Sequence, residues 1–184
     1  MRVQSTVIVT LMVTLVGFGG VAWAGLDHEM PSGPGSAELE RVKQLVGRWE
    51  GTGNHGGKES EPAVVEYKVT SGGSAVVETL GPGTPHEMVS VYHDHGGKLS
   101  MTHYCMLRNQ PELDLTSATD NELNLSLREG SIDPNLMHMH QLTVTWTDPD
   151  HITQVWTGYD AGKPTESMTL TLSRVGGSQA SATQ

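Results

Sequence analysis

Between Trp49 and Val175 apolar and polar side chains alternate with a period of two, and the alternation is interrupted at regular intervals by Gly, Asn, Asp and Pro. This pattern predicts half-buried strands joined by tight turns. About ten strand-like runs are present, centred near Trp49, Val65, Val77, Val89, Met101, Leu115, Leu125, Val144, Val155 and Leu170. Between them, Ser71-Gly72-Gly73, His95-Gly96-Gly97, Thr119-Asp120-Asn121, Asp148-Pro149-Asp150 and Ala161-Gly162-Lys163 supply residues that tolerate tight turns or positive φ. No interval is long enough for a crossover helix. That argues against parallel βαβ units and predicts an all-β, antiparallel up-and-down barrel.

One stretch ahead of the strands has helical spacing. Ser36 is suited to cap it, Glu38 and Glu40 fall in the first turn, and Leu39, Val42, Leu45 and Val46 share a face before Gly47 stops it. The predicted domain is therefore a barrel over residues 36–175 that begins with one short helix. Residues 25–35 and 176–184 are polar and Gly/Pro/Ser- or Gly/Ser/Thr-rich, and are expected to be a flexible N-terminal segment and a disordered tail. Residues 1–24 carry Arg2, an apolar run from Val7 to Val16 and Ala22-Trp23-Ala24. These are the three parts of a secretory signal peptide, with cleavage expected before Gly25. The expected location is the periplasm or the extracellular space, with no membrane span after cleavage.

Charge narrows the partners. The formal net charge is -10, and loss of Arg2 with the signal makes the mature chain more acidic still. With no basic run to neutralise phosphates, nucleic acid and anionic membrane surfaces are poor partners. The single cysteine, Cys105, can form no internal disulfide, so stability must come from packing.

The phase of the strands nominates the candidate chemistry. If His95-Gly96 is a two-residue turn, Tyr92 lies opposite Leu99, Ser90 opposite Met101, Met88 opposite His103 and His86 opposite Cys105, all on one face. Lys98, Ser100 and Thr102 then face solvent with Val89 and Val91. Along Met137 to Trp146, the rule of two carries His138 and His140 to the same side as Leu142, Val144 and Trp146. The expected interior thus adds Met88, Tyr92, Met101, His103, Cys105, His138, His140 and Trp146 to the leucines of the later strands. Glu66, Glu78 and Glu87 are expected on strands facing solvent. His93-Asp94-His95 is expected at a solvated turn.

A short helix followed by Gly47-Arg48-Trp49 at the start of the first strand resembles the lipocalin and calycin barrels, whose G-x-W signature stands there. The resemblance implies that a basic residue of the last strand, here Arg174, packs over the Trp to plug one end. The strand number brings the nitrobindin-like and fatty-acid-binding-like branches nearer than eight-stranded lipocalins. The stretch Glu87 to Leu113, with Thr102-His103-Tyr104-Cys105 and Asn109-Gln110-Pro111, resembles secreted bacterial calycin-like proteins of unknown function. The likeness extends over about three quarters of the chain.

Several functions follow from this interior. The first is a binding module for a small apolar or amphipathic molecule held by Met88, Tyr92, Met101, His103, Cys105, His138, His140 and Trp146. The second is a transition-metal site in which His103, Cys105, His138 and His140 converge from facing walls. The resemblance to nitrobindin implies haem, but the final strand lacks the histidine of that family, leaving His103, His138 or His140 as axial ligands. Cys105 acting as a nucleophile with a nearby His is a fourth reading, and a barrel filled by its own side chains is a fifth.

Overall fold

Each predicted run forms one strand in the structure, a computed structural model that describes residues 33–176. The expected signal peptide, most of the segment 25–35 and all but Gly176 of the expected tail lie outside the described residues. The helix α1 (Ala37–Lys43) precedes β1 (Gly47–His55), β2 (Glu61–Thr70), β3 (Ala75–Leu80), β4 (Met88–His95) and β5 (Lys98–Tyr104). Then follow β6 (Glu112–Thr119), β7 (Glu122–Leu127), β8 (His138–Asp148), β9 (His151–Asp160) and β10 (Lys163–Arg174). Every neighbour pair is antiparallel, and β1 closes the sheet against β10, so the barrel has no free edge. At that seam the backbones approach closely. A Cβ built on Gly51 would lie 1.9 Å from the Thr171 carbonyl oxygen, so the position requires glycine.

The two ends of the barrel differ. At one end α1 packs across the strands and buries Leu39 and Val42, with Leu45 following just after it. Ser36 caps the helix by accepting from the Leu39 N–H at 3.1 Å, and Asp94 of β4 accepts from both the Ser36 N–H and hydroxyl at 2.6 Å. Arg41 lies 4.1 Å from the Trp146 ring centroid and donates to the carbonyls of Thr119 and Asp120 at 2.6 and 2.7 Å. Trp49 is fully buried, its indole N–H donates to the Leu45 carbonyl at 2.7 Å, and the Arg174 guanidinium sits 4.3 Å from its ring centroid. Arg174 also donates to the Val46 and Gln44 carbonyls at 2.7 and 2.8 Å and to Asp150 at 3.0 Å. One guanidinium thus ties the last strand, the helix exit and the β8–β9 turn together over the indole. The helix is shorter than its periodicity predicted. It ends at Lys43 with Gln44 as cap, so Val46 leaves the apolar face and is 44% exposed.

The β4–β5 hairpin turns at Gly96-Gly97, whose φ values of 59° and 80° suit the two central residues of a tight hairpin turn. The partners therefore differ from those expected. Tyr92 lies opposite Met101 and Ser90 opposite His103. The register moves by two residues, and because side chains alternate with that same period, the inward set is unchanged. Ser100 departs from expectation. It lies on the outer side yet is buried, because Arg128 covers it, donating to its hydroxyl at 2.7 Å while pairing with Asp114 and Glu112.

A bulge in β8 has larger consequences. Met139 pairs with Gly158 and Gln141 with Thr157, leaving His140 as an extra residue. On β9 the inward residues are Ile152, Gln154, Trp156 and Gly158, and His138 pairs instead with Tyr159. Residues directly opposite in an antiparallel pair share a face, so His138 turns to the Tyr159 side, where it is nonetheless buried with its ring nitrogens on the Leu136 carbonyl and His140, and His140 stacks on Tyr159; neither stands among Leu142, Val144 and Trp146.

Candidate functional site

At the end of the barrel opposite α1, the mouth opens into a cleft of about 440 Å³. Its inner wall consists of Ala63 and Val65 of β2, Leu80 of β3, Met88 of β4 and Met168 and Leu170 of β10, with His55, Lys58 and His86 at the rim. Strand parity places these apolar residues on the barrel interior. The space persists here because Gly53 contributes no side chain to the wall and Ala63 contributes only a methyl.

Two residues deeper along the same strands, the wall becomes polar. Val65 is succeeded by Tyr67, Leu80 is preceded by Glu78, and Met88 is succeeded by Ser90. Tyr67 and Tyr92 donate to the two oxygens of Glu78 at 2.7 and 3.0 Å, and the Gln154 amide donates to both Glu78 and the Tyr67 hydroxyl. Gln154 accepts from the Trp156 indole N–H at 3.0 Å. Glu78 is fully buried, which corrects its expected place at the surface. Burial pushes its carboxyl above the ordinary carboxylate range, against the hydrogen bonds from Gln154, Tyr67 and Tyr92. Burial first, and then the nearby Glu78 charge, raises both phenols. Sequence reasoning overlooked this layer, although Glu78 shares the parity of Val76 and Leu80.

His103 joins the same layer. Its Nδ1 is 3.0 Å from the Ser90 hydroxyl, its ring centroid is 4.9 Å from that of Trp156, and its buried Nε2 has no hydrogen-bond partner. Burial lowers its pKa to about 4. The folded value lies below the unfolded 6.5, so the stability from keeping this ring neutral is present above pH 6.5 and is lost as pH falls toward 4. Acid titration of unfolding free energy should show a loss of about 3 kcal/mol across that window, and His103→Gln should flatten it. An unchanged slope in the variant would assign the acid sensitivity to another group.

The candidates named from sequence are thus dispersed. Met88 lines the cleft, Tyr92 and His103 belong to the polar layer beneath it, and Met101 is packed in the core against Leu113. Trp146 lies at the closed end under Arg41. Cys105 follows the end of β5 in a turn, half-buried, with its N–H bonded to the Asn109 carbonyl at 3.1 Å. Glu87 likewise lies in a turn, accepting from the Gly83 N–H at 2.6 Å. The expected metal set is not assembled, because His103 faces inward, His138 and His140 turn to the Tyr159 side, and Cys105 sits in a turn. Among the described residues no group of three or more His, Cys, Asp or Glu is arranged to hold an ion. Haem fits no better. His103 packs on Trp156 and does not line the cleft, and both ring nitrogens of the buried His138 are engaged, one with the Leu136 carbonyl and the other with His140.

No protein-family model matches the chain, and no curated protein matches it in sequence. Among solved structures it is similar to a redesigned β-barrel, with 14% identity, 72% of this chain and 93% of the other covered, and a TM-score of 0.35. A likeness at that level leaves the barrel's own geometry to carry any functional argument.

Proposed function

We propose that this is an exported, calycin-like barrel that binds a small apolar or amphipathic molecule in the cleft at its open mouth. The supporting observation is the asymmetry of the barrel, plugged at one end by α1, Trp49 and Arg174 and opening at the other into an apolar cleft of about 440 Å³. That volume falls within the range of about 300–1,000 Å³ typical of small-ligand pockets. Met88 and Met168 give the cleft an adaptable wall. The filled lower barrel, with Leu99, Met101, Leu113, Leu123, Leu142 and Ile152 packed together, confines the ligand to the mouth half. His55, Lys58 and His86 at the rim offer polar contacts to a head group left near solvent. Export rests on the apolar run and the Ala22-Trp23-Ala24 motif.

Titration of the exported protein, whose first residue should be Gly25, with an apolar fluorescent fatty acid tests this reading. Saturable binding should weaken at least ~10-fold in Ala63→Trp and in Met88→Trp, which fill the cleft, and should be unchanged in His95→Ala at the far end. Equal affinity in both cleft-filling variants would exclude the mouth as the binding site.

A further inference from the structure

We propose that the mouth has a second lobe and that its ligand is a two-armed amphiphile, with one apolar arm in each lobe and a zwitterionic head between them; this rests on the mouth being the binding site. The second lobe is a cavity of about 300 Å³ beside the cleft, lined by Leu107, Met137, Met139, Gly158 and Thr165. Met139 pairs with Gly158, which shares the inward parity of Trp156, so the floor of this lobe belongs to the barrel interior. His55 lines both lobes. It shares the inward parity of Trp49 and lies opposite Met168, so it stands inside the mouth and divides it.

Local irregularities open the second lobe. Gly158 contributes no side chain, and β10 shifts register between Pro164 and Ser167, so Thr165 and Glu166 together answer to Gly158 alone. The roof consists of two loops joined by the Asn109 amide, which donates to the Met137 carbonyl at 2.8 Å. These loops hold Leu107 and Met137 over the cavity, 42% and 49% exposed, and their chain neighbours Met106 and Leu136 are exposed as well. A lone exposed leucine needs no explanation, but large apolar side chains gathered on one rim of an apolar cavity mark a binding surface. An arm seated in the lobe covers Leu107 and Met137.

The boundary between the lobes is polar. Lys58 lines the first lobe, Glu166 lines the second, and their side chains pair at 3.6 Å across the boundary. Both are well exposed, so the pair contributes little in water and can open to a head group that offers each partner its opposite charge. A phosphate then meets Lys58 and an ammonium meets Glu166. Glu59 and Glu61 also border the first lobe, so a head carrying a cation as well as an anion is better matched than an anion alone.

Calorimetric titration of the exported protein with dioctanoyl and monooctanoyl glycerophosphocholine, each below its aggregation threshold, tests the second arm. The two share a head and differ by one chain. One molecule per protein is expected for each, with the two-chain lipid at least ~10-fold tighter, since burial of a few methylenes suffices for that ratio. Leu107→Asp with Met137→Asp, at half-exposed positions outside the core, should bring the two-chain affinity down to that of the single-chain lipid. Glu166→Lys should weaken both lipids ~3-fold by removing the carboxylate that faces the ammonium. Equal affinities in the unmodified protein, an advantage that survives the double aspartate variant, or indifference of both lipids to Glu166→Lys would overturn the proposal. The fluorescent fatty acid keeps the two readings apart. If it binds with the expected sensitivity to Met88→Trp while the two lipids bind equally, the mouth stands as a binding site and the two-armed ligand falls; failure of all three probes overturns both.

Discussion

Replacing Trp49 with alanine should destabilise the barrel by about 3–5 kcal/mol, the range for removing a fully buried large aromatic. The loss has two parts. The indole fills the closed end between Leu45, Val65 and Leu172, and its removal leaves a cavity that the helix above cannot close without breaking the Ser36–Asp94 cap contacts. The indole also provides the face on which Arg174 rests at 4.3 Å. Arg174→Ala should therefore couple to Trp49→Ala in a double-mutant cycle of chemical unfolding, with an interaction of about 0.5–2 kcal/mol. Strictly additive losses would show that the two side chains do not stabilise one another.

A comparable loss is expected at Glu78, where the cause is hydrogen bonding rather than volume. Glu78→Ala leaves the Tyr67 and Tyr92 hydroxyls and the Gln154 amide without their shared acceptor in a closed interior. At about 1–3 kcal/mol for each stranded buried donor, partly relieved by regrouping, the cost should be about 3–6 kcal/mol. Glu78→Gln, which keeps an acceptor oxygen, should lose less. The pH dependence separates charge from shape. Burial raises the folded pKa above the ordinary value of 4.5, so the folded protein holds this proton more tightly. Stability from Glu78 is full below that value and falls as pH rises through the raised one, opposite in sign to the His103 effect. Because His103 acts in the opposite sense over the same range, the Glu78 slope is read as a difference: the stability of wild type relative to Glu78→Gln should fall as pH rises through mildly acidic values. The same slope in both would mean that Glu78 ionises as freely folded as unfolded.

Much of the fold is readable along the chain because strands and turns are local. The ten runs, the Ser36 cap and the turn glycines follow from alternation and from φ requirements that each residue carries in itself. Even the wrong register for Tyr92 and Met101 left the right faces, since an error of two residues is invisible to a period of two. His138 and His140 show where that reasoning stops. A single bulge residue reverses parity on one side of itself, and nothing in Met137-His138-Met139-His140 announces it, because the bulge is defined by pairing with Gly158 and Thr157 on another strand.

The same limit governs the site. Sequence by itself determined an acidic chain with one helix, ten antiparallel strands and an inward face mixing apolar residues with Tyr92, Met101 and His103. Tertiary structure alone decided that Glu78 is buried, because the parity it shares with Val76 and Leu80 is tolerable for a carboxyl only when Tyr67, Tyr92 and Gln154 arrive from β2, β4 and β9. It also decided that the cleft lies between β1, β2, β3, β4 and β10, since only closure of the first strand on the last brings Ala63, Leu80 and Leu170 around one space. Alternation records which side a residue faces. It carries no information about depth along the barrel axis, which strand stagger and ring closure set, and that depth separates the mouth, the polar layer and the plugged end.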